Sequence, residues 1–246
     1  MRVLVVNAGS SSLKLDVVDG GERVATEQLA AERAVIDAGE VAGAVLRLGA
    51  VDAVGHRIVH GGATYAQAVR LDADVVRELG ELAALAPLHQ AKSLAALEAV
   101  DAVLGDVPAV ACFDTAFHAT LPAAAHTYAL PSAWRERWGL RRYGFHGLAH
   151  AYAARRAAEL LGRPLAELRI VTCHLGGGAS LAAVDGGTSV DTAKFALDRF
   201  DLGPTWFWPA LQPQLDRLVD ELGLQRFEQF ETGDLLVERS ERQPAG

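Results

Sequence analysis

Apolar residues recur with two different periods along this 246-residue chain, and each change of period marks a change of element. Residues 2–6 are almost continuously apolar, while residues 12–18 and 22–29 alternate in part, with Asp19-Gly20-Gly21 between them. Such runs predict a buried strand followed by two half-buried ones, and the Asp-Gly-Gly sequence predicts a tight hairpin. GHRIV, residues 55–59, has the β-branched character of a further strand. Between residues 75 and 105 the period lengthens, and Leu94, Leu97, Val100, Val103 and Leu104 predict helix, stopped by Gly105 and Pro108. Residues 107–113 then predict a buried strand, and residues 148–161 a helix ending at Gly162.

The second half of the pattern echoes the first. RIVTCHLGGGASLAAVDGGTSV, residues 169–190, repeats the order strand, glycine-rich turn, strand, Asp-Gly-Gly turn, strand. The two Asp-Gly-Gly turns start at Asp19 and Asp185, 166 residues apart. Two copies of one βββ unit predict two similar lobes. Composition changes near residue 193: the last 54 residues hold 4 alanines against 41 in the first 192, and 7 of the 16 aromatics. Residues 193–246 therefore read as a separate tail.

Composition narrows the function classes. Half of the residues are hydrophobic, enough for a sizeable core, yet no apolar run approaches the roughly 20 residues of a membrane helix. The N-terminus lacks the basic-then-apolar order of a signal peptide, so the expectation is a soluble, cytoplasmic protein with no membrane partner. Net charge is −8 and the basic residues are scattered, which argues against a nucleic-acid surface. Cys112 and Cys173 lack zinc-site or disulfide spacing and are expected to be buried thiols.

Several motifs carry chemistry. The turn NAGSSS, residues 7–12, offers backbone N–H groups, an amide and hydroxyls at a strand end, the groups that cradle phosphate oxygens and hydrated Mg²⁺. Ser10 and Ser12 are the cradle candidates and Asn7 the metal candidate. Lys14, on the same strand face as Ser12, can neutralise phosphate charge; a polar hairpin with a solvated lysine is the competing reading. HLGGGAS, residues 174–180, lets backbone approach a phosphate closely, although it fits neither the Rossmann nor the Walker spacing. Its candidates are His174, Leu175, Gly176, Gly177 and Gly178.

Four-residue spacings join His56 to His60, Asp114 to His118 and His146 to His150. On a helix such a pair can share a zinc ion, whereas on a strand it spans about 13 Å, which discounts a metal at GHRIVH. Arg57 there suits bidentate recognition of a carboxylate or phosphate, or else is a structural arginine. Asp114 follows a buried strand, where α/β proteins gather catalytic groups, and is also placed to cap a helix. His146, at a helix start, is placed to donate to a transferring phosphoryl group or to be a satisfied half-buried histidine.

NAGSSSLK, GHRIVHGG, FDTAFHATLP, RRYGFHGLAH and CHLGGGASLAAVDGGTSVDT occur in the order seen in acetate kinases and are very similar to their motifs. The resemblance spans residues 2–192. It implies an α/β fold with duplicated ribonuclease-H-like lobes, that of the sugar-kinase, actin and heat-shock ATPase superfamily. The implied division is an N-terminal lobe over 1–146, the start of a nucleotide lobe over 147–192, and a foreign or divergent tail over 193–246.

The implied reaction is reversible phosphoryl transfer from ATP to acetate, giving acetyl phosphate and ADP, with Mg²⁺ and as a homodimer. By position, Asn7 would help hold Mg²⁺, Lys14 touch nucleotide phosphate and Arg57 bind the carboxylate or acyl phosphate. Asp114 would be the catalytic carboxylate, His146 would steady the in-flight phosphoryl, and residues 174–178 would form the ATP loop, with Gly177 where the family usually has Asn. After SVDT the resemblance ends: AKFALDRFDLG stands where the family has a threonine-rich segment and a glycine-flanked arginine. FDLGPTWFWPALQPQLDRLVDELGL, residues 200–224, instead resembles a piece of flavin-dependent amine oxidases without their glycine-rich FAD fingerprint. The expectation is a truncated second lobe and impaired turnover, with propionate kinase or a non-catalytic nucleotide-binding fragment as alternatives.

Overall fold

A computed structural model describes residues 1–9, 12–30, 36–175 and 179–190, with the isolated positions 217, 220 and 221. Two compact units are distinguished, Met1–Gly203 and Pro204–Gly246, and all elements below belong to the first. The tail resemblance falls almost wholly outside the described residues, as do Ser10 and Gly176 to Gly178.

The first sheet begins with β1 (Arg2–Ala8), β2 (Ser12–Asp19) and β3 (Glu22–Ala30), the three strands expected from the pattern. Gly20 and Gly21 both have positive φ, 59° and 92°, so the two-residue turn demands glycine-tolerant positions. After α1 (Ala38–Leu48) the chain enters β4 (Ala53–Ile58), then β5 (Val69–Arg70), α2 (Ala73–Glu81), α3 (Pro87–Leu104) and β6 (Ala109–Phe113). The stretch expected as helical between 75 and 105 is broken: Leu82–Leu85 form a 3₁₀ turn and Pro87 starts a new helix. Proline lacks the N–H that a continuing helix would use, and it fits the first position of the next one.

Strand order is β3-β2-β1-β4-β6-β5, with β1, β4 and β6 parallel, the order expected of a ribonuclease-H-like lobe with one short edge strand added. One face is covered by α1 and α3. Leu4, Val6, Leu13, Leu15, Val17 and Val54 from the strands meet Val41, Val45, Ala96 and Val100 from the helices. Period-two alternation therefore sends Asn7, Arg57 and Cys112 to the opposite face, since Val6 pairs with His56 and Arg57 with Cys112.

The chain continues through α4 (Ala123–His126) and α5 (Ser132–Trp138) to α6 (Gly147–Leu161), then β7 (Arg169–Leu175), β8 (Ala179–Asp185) and β9 (Thr188–Val190). These strands form an antiparallel sheet ordered β7-β8-β9, the same meander as β1-β2-β3. The repeat extends to the backbone: Gly186 and Gly187 have φ of 58° and 88°, matching Gly20 and Gly21. Ala154 on α6 packs against Ala182 and Val184, small residues that let helix and sheet approach closely.

Cys112 is half-buried and Cys173 exposed, correcting the expectation of two buried thiols. Both sit on the strand faces that alternate away from the packed side, and Val171 and Leu175 beside Cys173 are exposed with it.

Gly147 opens α6 directly against the end of β6, donating its N–H to the Asp114 carbonyl at 2.9 Å. A Cβ there would lie 2.2 Å from that oxygen and 2.7 Å from Phe117 Cβ. Gly147→Ala is expected to cost about 1–3 kcal/mol of unfolding free energy; an unchanged denaturant midpoint would contradict this packing. His56 is buried between the helices and sheet, its Nδ1 has no hydrogen-bond partner, and burial pushes its pKa down to about 4. The unfolded chain takes up a proton near pH 6.5 that the folded chain refuses, so stability present above that pH is lost as pH falls toward 4. Between pH 7 and 4.5 the wild type is expected to lose about 2 kcal/mol more than His56→Leu. Parallel stability profiles for the two proteins would count against it.

Candidate functional site

Three parallel strands deliver one polar side chain each to a common point at their C-terminal ends. Asn7 comes from β1, Arg57 from β4, and Asp114 from the residue after β6, whose N–H donates to the Ile58 carbonyl at 3.1 Å. Arg57 donates from Nη2 to Asp114 Oδ2 at 2.6 Å, from Nε to both carboxylate oxygens at 3.1 and 3.2 Å, and from Nη1 to Asn7 Oδ1 at 2.9 Å. The Asp114 side chain is 2% exposed and that of Arg57 24%, so the carboxylate lies at the bottom of the site and the guanidinium lies over it. A planar guanidinium with several donors can satisfy both oxygen groups at once, which a lysine could not.

Asn7 Oδ1 and the Asp114 carboxylate are hard oxygen donors converging on one cationic group. The chemistry of that pair suits Mg²⁺, which takes one or two protein oxygens and keeps several waters. Among the described residues no group of three or more His, Cys, Asp or Glu is placed to hold a metal ion, so the His146–His150 spacing makes no zinc site there.

His146 closes the site from α6. It is the helix N-cap and has φ 56°, the only positive φ of a non-glycine residue among those described. That conformation is costly outside glycine, asparagine and aspartate, and it persists here where Gly147 is wedged against Asp114. The His146 ring stacks on His174 from β7, with centroids 4.9 Å apart and planes 27° apart. Burial pushes the His146 pKa down; the Asp114 charge pulls it back up, while His174, Arg57 and His89 push it further down. Neutral imidazole is therefore favoured next to Asp114.

Two further histidines fix this arrangement. His118 sits between the Phe145 carbonyl, 3.0 Å from Nε2, and the Ser189 hydroxyl, 2.9 Å from Nδ1. Since a carbonyl only accepts, Nε2 carries the proton and Nδ1 accepts from Ser189. His150 lies between Thr172, 2.8 Å from Nδ1, and Ser180, 2.9 Å from Nε2. Thr172 donates to the Ala182 carbonyl at 3.4 Å, so Nδ1–H donates to Thr172 and Nε2 accepts from Ser180. Both rings thereby tie the helix and turn that carry His146 to the second sheet. Burial pushes the His150 pKa down to about 4, with His118, His146 and His174 adding to the effect and Asp114 opposing it.

Of the residues expected from sequence, Asn7, Arg57, Asp114, His146 and His174 come together through these contacts. Lys14 is exposed directly opposite Asn7 in the β1–β2 ladder, and Ser12 lies one strand position beyond the turn. Leu175 is exposed at the end of β7. Gln90 was not legible as a site residue. Its side chain accepts from the His60 N–H at 3.1 Å and donates to the His60 carbonyl at 3.1 Å, holding the segment that follows β4. The only sequence signal for it is a buried position occupied by an amide.

The Acetokinase family model matches residues 42–195. The acetate kinase of Bacillus velezensis is 42% identical over 78% of this chain and 56% of its own length, and that of Thermotoga maritima is 42% identical with the same coverage. The crystal structure of Porphyromonas gingivalis acetate kinase superposes with a TM-score of 0.70 at 30% identity, over 91% of this chain and 65% of that one. A propionate kinase from Francisella tularensis superposes with a TM-score of 0.71 at 26% identity, again over 91% and 65%. The chain thus spans about half the length of the curated relatives it matches. With more than half of its residues inside the family model, and with the five motifs assembled around Asp114, the chain belongs to the acetokinase family.

Proposed function

We propose that this chain carries the acyl-binding and catalytic centre of an ATP:acetate phosphotransferase, making acetyl phosphate and ADP reversibly, with turnover impaired by the sequence after residue 192. The observation that carries this reading is the convergence of Asn7, Arg57 and Asp114 beneath His146 at the ends of three parallel strands.

The chemistry asks little of a base. An acetate oxygen is already nucleophilic, so transfer depends on positioning two anions and neutralising charge. Arg57 binds the carboxylate or acyl phosphate. Asp114 orients Arg57 and, with Asn7, is the oxygen set that would hold Mg²⁺; when bound, the ion supplies charge neutralisation on the phosphates. His146, kept neutral and fixed by the stacked His174, donates to an equatorial oxygen of the moving phosphoryl group. The turns at residues 7–12 and 174–178, with Ser10, Ser12 and Lys14 in the first and His174 to Gly178 in the second, are assigned to nucleotide phosphate.

Acetate is chosen over propionate on the weight of the named relatives; the two substrates differ by one methylene, worth about 1–3 kcal/mol of discrimination. The competing reading is a non-catalytic nucleotide-binding fragment, favoured by AKFALDRFDLG in place of the family's arginine segment. Losing one charge-stabilising arginine costs about 10³-fold or more in phosphoryl transfer. A cytoplasmic setting and a homodimer come with the proposal, which assigns no nucleic-acid or membrane partner; among the described residues no helix is long and apolar enough to cross a membrane. No flavin is assigned to the tail, and a colourless purified protein is expected.

Titration with acetyl phosphate and a coupled ATP–acetate assay test this directly. Binding is expected in the wild type and is expected to weaken at least about tenfold in Arg57→Leu. Turnover is expected below the ordinary kinase range of about 1–100 s⁻¹. Rates inside that range would overturn the impairment, and no binding of acetyl phosphate would overturn the assignment itself.

A further inference from the structure

Lysine is rare on a buried helix stripe, and α3 carries one. Lys92 is 3% exposed and continues the stripe of Ala96, Ala99 and Val100 that packs on the first sheet. Its Nζ donates to the carbonyl of Gly9, the residue that opens the turn after β1. That turn is closed by the Gly9 N–H donating to the Ser12 carbonyl at 2.8 Å. Two residues earlier on the same helix, Gln90 holds His60 after β4. The first turns of α3 therefore grip the chain beyond the ends of both β1 and β4, the strands that deliver Asn7 and Arg57. Lys14, the cation that the sequence pattern singles out, is exposed, whereas Lys92 is fixed by the helix that carries it.

We propose that Lys92 is a positioning residue for the first phosphate turn: it draws the Gly9 carbonyl toward α3, away from the ligand side, and sets a fixed positive charge at the end of β1. An anionic ligand at this turn would be repelled by a carbonyl oxygen turned toward it and attracted by a nearby cation. The Lys92–Gly9 contact serves both conditions. Burial lowers the Lys92 pKa, while the carbonyl acceptor favours the protonated amine. The inference rests on the proposed nucleotide-phosphate role of residues 7–12 and deepens it by naming a residue that the sequence motifs do not include.

Two titrations separate positioning from mere packing: Mg-ATP and acetate, each against wild type, Lys92→Met and Lys92→Arg, with thermal unfolding of all three. Lys92→Met keeps the stem volume and removes charge and donor. The expected result is an Mg-ATP affinity lowered about tenfold or more in Lys92→Met, acetate affinity unchanged, and most of the Mg-ATP affinity retained in Lys92→Arg. Equal Mg-ATP affinity in Lys92→Met and wild type would overturn the assignment, as would a parallel loss of both ligands and of stability. Should Lys92→Met fold poorly, Lys92→Gln, which keeps a donor for Gly9 without charge, is read through the same two titrations. A wild type that binds acetate and not Mg-ATP would overturn the nucleotide reading of the turn, a failure distinct from an indifferent Lys92.

Discussion

The Arg57–Asp114 ion pair is the constraint around which this molecule is arranged. A carboxylate that is almost fully covered needs its charge matched, because burying a lone ion is far more costly than burying a paired and hydrogen-bonded one. The match is made by a guanidinium from the neighbouring strand, whose third nitrogen, Nη1, donates to the Asn7 amide oxygen of the strand beyond. Three parallel strands are thereby stitched at the end where their polar residues emerge, and α6 can begin only where Gly147 fits under the Asp114 carbonyl. The strained backbone of His146 follows from that docking, and with it the placement of the ring opposite the pair.

Seen this way, the pair has two uses. It keeps the centre folded, and under the proposed function the same charges would face a carboxylate or phosphate on one side and a cation on the other. The second sheet contributes through histidines whose tautomers are set by hydroxyl partners and a carbonyl, so the helix bearing His146 is held by neutral rings. Neutral rings hold well at neutral pH and poorly in acid, which links the integrity of the centre to the same protonation that weakens the core at His56.

Much of the fold was legible because its strongest signals are local. The Asp-Gly-Gly turns require positive φ, and the structure supplies it at Gly20, Gly21, Gly186 and Gly187 alike. The strands beside them alternate in part at period two, while the apolar runs at 2–6 and 107–113 put Asn7 and Asp114 at strand ends and the β-branched run at 55–59 put Arg57 in a strand. What escaped was non-local. The break at Pro87 inside a helical pattern depends on α2 and α3 packing as separate pieces. Residues 38–48 form α1 with Val41, Ala44, Val45 and Leu48 buried, a stripe diluted by alanine and glycine in the sequence. Gly147 gives no hint of its role until Asp114 is seen above it, and Cys173 reads as buried until its strand face is known. Contacts such as Lys92 to Gly9 join residues 83 apart and are not visible to periodicity at all.

The central claim is that Arg57, Asp114 and Asn7 form one centre for an acyl phosphate and a divalent cation. Crystals of the protein grown with acetyl phosphate and Mn²⁺, with anomalous scattering used to locate the metal, test it most directly. The account predicts manganese on the Asp114 carboxylate and the acyl phosphate against Arg57. Manganese or acyl phosphate bound elsewhere, with the Arg57–Asp114 pair closed as in the ligand-free chain, would contradict it.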